Sequence, residues 1–493
     1  MTAQLRYAIY PSFTNDTQNL WHAEKENEIN INIGKNEYQN IQISLFSEKQ
    51  IKNIKVSANV KQSQNNITFE FRKLAKFQQW NDALIPFNSL RIEPEQNCTI
   101  WMTIKTDIKT PAKKHIGQIK IQCKHDTIII PITINVINFT IPIVPSIPVT
   151  FGIIEDKLEK FYKLKKTSPD REKIFADWFN FLCRYRISPY FCRWLKNSMA
   201  HEVKPLPVPL TDKKAKKYLC NPVITRYAIP FYSVTQKELK NIINLLKSLN
   251  ILNKSFFYIW DEPDNIETYH KIYHHIDTIR KIAPEAKILT TFYCGPNKSD
   301  IFNIIDKMRT YTNIFCISSW AFHADEDIPI RFKKLLNDNE ELWTYVCCGP
   351  SNPQPNLHLG MKAIQNRAIL WRIWKEQIDG FLYWAVNSFD IKNNRQIDLR
   401  KDLPPGDGLL IYPGEIFKTK HPIASIRLEQ IRAGLQDYEY LKSAEKTIGR
   451  SKTLKILNSV YKSPIEFTDN PTDIQNFINR LKQAVTKNKN IKS

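Results

Sequence analysis

The stretch Ser255-Phe256-Phe257-Tyr258-Ile259-Trp260-Asp261-Glu262-Pro263 decides the fold. Phe256, Phe257, Tyr258, Ile259 and Trp260 form a continuous apolar and aromatic run, the pattern of a strand buried on both faces. Two adjacent acids and a proline end it. A residue before proline is pushed to extended backbone, so Glu262 should be extended and no helix should run through the pair. A helical pattern begins at Asp264 or Asn265, either a good N-cap, and continues through Ile266, Tyr269, Ile272, Tyr273, Ile276 and Ile279. The order is strand, acidic pair, helix. Parallel α/β proteins carry their active sites at the carboxyl ends of strands, where two carboxylates are candidates for acid–base chemistry. Taken locally, the pair fits a solvated loop with a helix cap at least as well.

The same rhythm extends both ways. Upstream, strand-like segments at residues 149–154, 188–192 and 224–230 alternate with helical patterns at 170–185 and 236–249. A polar, proline-rich excursion covers residues 197–221. Downstream, strands at 287–294, 314–320, 342–348 and 381–386 alternate with helices at 300–308, 330–336, 363–377 and 425–444. Eight strand–helix pairs predict a (β/α)8 TIM-type barrel, with a doubly wound open sheet as the alternative. Residues 1–145 read differently. Period-two alternation at 28–33 and 40–45, with further strands at 67–71, 99–104, 117–122 and 127–139, predicts an immunoglobulin-like β-sandwich. The expected organisation is multidomain: a sandwich over 1–145, a barrel over 146–448 entered through a proline-stiffened linker, and a short helical C-terminal extension over 449–493.

Composition narrows the function. With only 12 glycines against 28 prolines, and neither a P-loop nor a GxGxxG pattern, a nucleotide-binding loop is not indicated. Nine cysteines, without CxxC spacing or a Cys/His cluster, indicate neither a disulfide framework nor a metal site. Cys183, Cys192, Cys294, Cys316 and Cys347 lie in or beside apolar segments and read as buried thiols. The net charge of +22 would draw anionic glycans if the lysines cluster, but no nucleic-acid motif accompanies it. The basic runs at 213–217 and 487–492 read as a solvated loop and a loose end. No signal peptide is visible, and prolines break the most apolar region, so no membrane span is expected. The expectation is a soluble protein, cytoplasmic or exported with a trimmed leader. Its oligomeric state is not legible.

Strand ends in such a barrel would supply Arg193, Trp194, Tyr232, Asp261, Glu262, Tyr293, Trp320, His323, Tyr345, Cys348, Trp384 and Asn387. Aromatic rings around two carboxylates suit a sugar, whose apolar faces stack on rings while its hydroxyls need fixed polar partners. Capping of the barrel core explains any single ring equally well.

Asp261-Glu262-Pro263, Trp343-Thr344-Tyr345-Val346-Cys347-Cys348-Gly349-Pro350, Asp379-Gly380-Phe381-Leu382-Tyr383-Trp384-Ala385-Val386-Asn387, Gly406-Asp407-Gly408-Leu409-Leu410-Ile411-Tyr412-Pro413-Gly414 and the helical run 425–441 follow one another as in a known family. The chain resembles glycoside hydrolase family 123 and relatives sharing domain of unknown function 4091, most clearly over residues 256–441. That resemblance implies a retaining exo-glycosidase for terminal β-linked N-acetylgalactosamine or N-acetylhexosamine, acting on a glycan or glycoconjugate by substrate assistance, with no metal and no cofactor. It assigns Glu262 as acid–base and Asp261 as the residue orienting the 2-acetamido group. Tyr293, Trp320, His323, Tyr345, Trp384, Asn387 and Arg193 are the expected substrate-binding residues. Arg367 is retained, whereas Gly360, Lys362 and Gln365 stand where relatives often carry acids and proline, which points to altered specificity. The alternatives are a glycosidase for another sugar and a carbohydrate-binding relative without turnover.

Overall fold

The computed structural model describes residues 5–14, 28–61, 66–195, 198–293, 301–393 and 395–486. Its N-terminal part is built from β1 (Arg6–Pro11), β2 (Ile29–Lys35), β3 (Tyr38–Ser47), β4 (Ile51–Val60), β5 (Ile67–Phe77), β6 (Trp80–Pro86), β7 (Leu90–Ile92), β8 (Gln96–Thr106), β9 (Lys114–Gln122) and β10 (Thr127–Thr140). They form two five-stranded sheets, ordered β1-β3-β8-β5-β6 and β2-β10-β9-β4-β7. Period-two alternation turns one face of each sheet inward, so Ile43, Leu45, Ile100 and Met102 of one pack with Ile33, Ile54, Ile119, Ile121 and Ile130 of the other. The expected immunoglobulin-like pattern needs correction. Among the described residues there are ten strands, and β2 runs parallel to β10, with Ile29 opposite Ile132.

A third sheet, in the second part of the molecule, comprises β11 (Val149–Ile154), β12 (Ser188–Trp194), β13 (His201–Lys204), β14 (Tyr227–Ala228), β15 (Ser255–Phe257), β16 (Lys287–Phe292), β17 (Ile314–Ser318), β18 (Glu341–Val346) and β19 (Gly380–Tyr383). Its order is β13-β12-β11-β19-β18-β17-β16-β15-β14. Apolar β-branched and aromatic runs produce these strands, and helices such as Pro169–Cys183, Gln236–Ser248 and Ile266–Ile282 cover them.

A regular (β/α)8 TIM-type barrel is not formed. The sheet is a nearly closed, mixed nine-stranded one. β13 turns back antiparallel on β12, and among the described residues no ladder joins β12 to β14. The physical cause lies at β14, which holds only two residues because Pro230 ends the segment that would have extended it. The gap is bridged instead near the top, where Ala200 pairs antiparallel with Trp260.

The sandwich is tied to this second unit by buried ion pairs. Arg427 Nη2 lies 2.9 Å from Asp82 Oδ2, Arg72 Nη2 lies 2.8 Å from Glu429 Oε1, and Lys482 Nζ lies 2.8 Å from Glu37 Oε1. Arg427 and Glu429 belong to the helix Ile426–Ile448, and Lys482 to the helix Pro471–Thr486. The basic run at 213–217 is helical rather than a loop, continuing Asp212–Lys214 into Ala215–Leu219 with Tyr218 and Leu219 buried. The run at 487–492 and Cys294 lie outside the described residues. Among the described residues no helix is long and apolar enough to cross a membrane.

Candidate active site

Adjacent residues on a strand point to opposite faces, so Asp261 and Glu262 could not share a cleft if β15 ran through them. It stops at Phe257. The segment after it is held by its neighbour across the gap, with Asp261 N–H donating to Met199 C=O at 3.0 Å and His201 N–H to Ile259 C=O at 3.3 Å. Glu262 is then left-handed, at φ 43°, not extended as Pro263 had suggested. That conformation is unfavourable for a side chain with Cβ and needs outside support. Thr291, on β16, supplies it: its hydroxyl accepts the Glu262 N–H at 3.0 Å and donates to Asp261 Oδ1 at 3.0 Å. Tyr258 O–H donates to the same Oδ1 at 2.8 Å, and Tyr345 O–H donates to Glu262 Oε1. Burial first, and then the neighbouring carboxylates, push both phenols well above their ordinary pKa, so they stay protonated donors.

The two acids thereby line one cleft of about 280 Å³, together with Trp194, Met199, Thr291, Tyr345, Cys347, Cys348 and Trp384. Trp194 meets Trp384 edge-on at 6.1 Å. Trp384 is fixed from behind by Asp407, whose Oδ1 accepts from Trp384 Nε1 and from Tyr383 O–H, each at 3.1 Å. Burial raises the Asp407 carboxyl above its ordinary pKa. The turn carrying Asp407 depends on Gly408, at φ 71°, where a Cβ would stand 2.4 Å from the Trp384 ring. On the other side His201 packs edge-on against Tyr258 at 4.1 Å. Burial holds its pKa down to about 4, so it is a neutral spacer near pH 7. A second cleft of about 520 Å³ adjoins the first, sharing Met199 and Glu262 and lined by Tyr293, Asn265, Asn303 and Lys307.

The expected binding residues separate into groups. Asp261, Glu262, Tyr345 and Trp384 meet in the first cleft, and Tyr293 lines the second. Trp320 meets Tyr293 edge-on at 5.8 Å and packs so closely on Gly349 that a Cβ there would lie 2.1 Å from its ring. Asn387, Arg193 and His323 lie outside both clefts. Asn387 is fully buried, and its amide is used by the Ile154 backbone, accepting the N–H at 2.8 Å and donating to the C=O at 3.0 Å. Arg193 turns to carboxylates, with Asp156 and Glu159 each at 2.7 Å. His323 is an exposed left-handed residue ending a short 3-10 turn, outside both clefts.

Gly360, Lys362 and Gln365 also have structural uses. Gly360 makes room for the Trp80 ring, while Gln365 Oε1 accepts the Lys362 N–H at 2.8 Å and caps the helix Ala363–Lys375. Arg367 pairs with Asp437 inside the core, at 2.6 Å. Sequence reasoning missed Thr291, Tyr258 and Met199. Nothing local marks Thr291, whereas the two glycines flanking Asp407 are a turn signal that could have drawn attention to it.

A mainly parallel, nearly closed sheet with an aromatic-walled, carboxylate-bearing cleft at its strand ends suits the glycoside hydrolase class. The comparisons narrow it. The profile described as "Glycoside hydrolase 123, catalytic domain" matches residues 175–444, over half of the chain, and the chain belongs to glycoside hydrolase family 123. Among solved structures it is similar to a family 123 glycoside hydrolase from Clostridium perfringens, at 16% identity and TM-score 0.69, covering 98% of each chain. That likeness shows a shared fold across both parts of the molecule. An FMN-binding β-glucuronidase from Facaelibacterium prausnitzii overlaps far less well, at 11% identity and TM-score 0.31, covering 82% of this chain and 59% of the other. No curated protein matches.

Proposed function

We propose that this glycosidase removes terminal β-linked N-acetylgalactosamine, or a closely related N-acetylhexosamine, from a glycan or glycoconjugate with retention of configuration. The observation that carries the reading is the convergence of two consecutive carboxylates, each held by its own hydroxyl donors, in a cleft of about 280 Å³. Glu262 protonates the departing glycosidic oxygen. The substrate's own acetamido oxygen attacks the anomeric carbon from the opposite face and closes an oxazolinium ring. Asp261, with Oδ1 taken by Tyr258 and Thr291, uses its second oxygen to accept the acetamido N–H and offsets the positive charge growing there. Glu262 then returns as base for the incoming water. Trp384 and Trp194 supply faces on which the sugar stacks.

The test compares a 2-acetamido glycoside with its 2-hydroxyl counterpart. Removing the acetamido group removes a reactant, so the 2-hydroxyl sugar should be almost inert even if it binds. A thiazoline analogue of the cyclised intermediate should inhibit far better than the free sugar. Inversion at the anomeric carbon by NMR, or efficient hydrolysis of simple galactosides, would rule the mechanism out.

A further inference from the structure

Cys347 and Cys348 stand side by side on the wall of the cleft, and the proposed hydrolysis uses neither thiol. Both are free, Cys348 exposed and Cys347 half-buried. The Cys348 thiol also donates to Asp407 Oδ2 at 3.7 Å. The hydrogen bond between the two thiols pulls the Cys348 pKa below the ordinary thiol value and, with burial, pushes that of Cys347 well above it, so Cys348 is the attacking thiol of the pair. Cys183, Cys192 and Cys316, by contrast, are buried.

We propose that Cys347 and Cys348 form a modification site, a vicinal dithiol that a small-molecule disulfide converts into a Cys347–Cys348 disulfide with loss of cleft function. The Cys348 thiolate attacks one sulfur of the small disulfide, whose S–S bond breaks, and the departing thiolate takes up the proton that Cys348 lost. Cys347 then attacks Cys348 Sγ in the mixed disulfide, the bond between Cys348 and the small thiol breaks, and the Cys347 proton passes to the second small thiolate as it leaves. Two protein thiols are oxidised and one small disulfide is reduced to two thiols. Neighbouring Cα atoms lie only about 3.8 Å apart across a trans peptide, below the roughly 4.4–6.8 Å of most disulfides, so the ring is strained and easily reduced. That makes the modification reversible.

Ring closure removes the thiol donor from Asp407. The carboxylate that anchors Trp384 and Tyr383 is only 2% exposed, so it cannot turn to water for a replacement. Trp384 and Tyr383 bond the other oxygen, Oδ1, so ring closure acts on the Trp384 wall by resetting the carboxylate against which it is held. The inference rests on the glycosidase reading only for its effect on turnover.

The test treats the reduced full-length protein, with Cys220→Ser to remove the other exposed thiol among the described residues, with oxidised glutathione. Intact mass and peptide mapping without reductant should show the loss of two hydrogens on the peptide carrying residues 347 and 348. KM for an acetamido glycoside should rise several-fold, and dithiothreitol should reverse both changes. Adding Cys348→Ser should abolish the mass change. A stable glutathione adduct without ring closure, no modification at either cysteine, or ring closure that leaves turnover untouched would overturn the proposal. If the reduced protein cleaves no acetamido glycoside, the functional reading fails, while the mass result still decides whether the dithiol closes.

Discussion

The hydroxyl of Thr291 lies 3.0 Å from Asp261 Oδ1, and the same hydroxyl takes the backbone N–H of Glu262. One oxygen thus orients the first acid and supports the left-handed turn that aims the second. Tyr258 and Tyr345 each bond one of the two acids, whereas Thr291 is bonded to both residues.

Thr291→Val is therefore expected to fold, since it is nearly isosteric and the site is buried, yet to lose turnover. Hydrogen bonds to charged groups are worth about 1.5–3 kcal/mol, so kcat should fall by about 10- to 100-fold. Thr291→Ser should recover most of it. Equal losses in the two variants, measured against matched melting temperatures, would show that the methyl packing matters and the hydroxyl does not.

Glu262→Gln should lower turnover by about 10²- to 10⁴-fold on a natural glycan while binding persists. The amide cannot donate the proton that the leaving oxygen needs. Nitrophenyl glycosides would hide the effect, because their leaving group departs with little protonation. Near-normal hydrolysis of a natural glycan by the folded variant would end this assignment.

The sandwich should affect the cleft from a distance. Arg427 holds Asp82 of β6 with one hand and the carbonyls of Leu357 and Gly406 with the other, at 2.6 and 2.9 Å. Gly406 leads directly into Asp407, the anchor of Trp384. Asp82→Ala leaves a buried guanidinium uncompensated, a change that typically costs about 3–5 kcal/mol. The expected outcome is a clearly lower melting temperature with a raised KM. Unchanged stability would mean that the pair contributes nothing to the union of the two units.

Stability at acid pH should depend on Glu429. Although burial opposes ionisation, Arg432 and Arg72 prevail and hold its pKa down to about 2. The folded value lies below the unfolded one of about 4.3, so the unfolded chain binds the proton more readily. The stabilisation is complete above the unfolded value and is lost as pH falls towards about 2. Asn40 and Arg72 of the sandwich both bond this carboxylate, so its protonation loosens the two units from each other. Glu429→Gln should be less stable at neutral pH and show a flatter denaturation profile between pH 5 and 2, checked by urea melts across that range. A profile parallel to that of the unsubstituted protein would assign the acid sensitivity elsewhere.

Short-range signals carried much of this structure. The run at 149–154 was legible as a strand from its own apolar content and its flanking prolines, and β11 has those bounds. Asp264 or Asn265 was legible as a cap, and the structure uses Asn265, whose side chain accepts the Thr268 N–H at 2.9 Å. The acids that follow the aromatic run line the cleft, although the strand itself ends earlier, at Phe257. These features depend on alternation, capping and steric exclusion within a few residues, which any reading of the chain retains.

What the tertiary structure decided depends on partners far apart in sequence. The segment bearing the acids leaves the strand after Phe257, and Met199 and His201 hold its backbone across the gap at which the sheet stays open. Glu262 is left-handed although Pro263 favours extended backbone, because a hydroxyl on the next strand over-determines it. Asn387 and Arg193 carry the chemistry of binding residues, but Ile154 and the carboxylates of the helix Glu155–Tyr162 claim them first. A side chain's chemistry is written at its own position, whereas its availability is set by whichever buried polar groups fall within reach once the chain has packed.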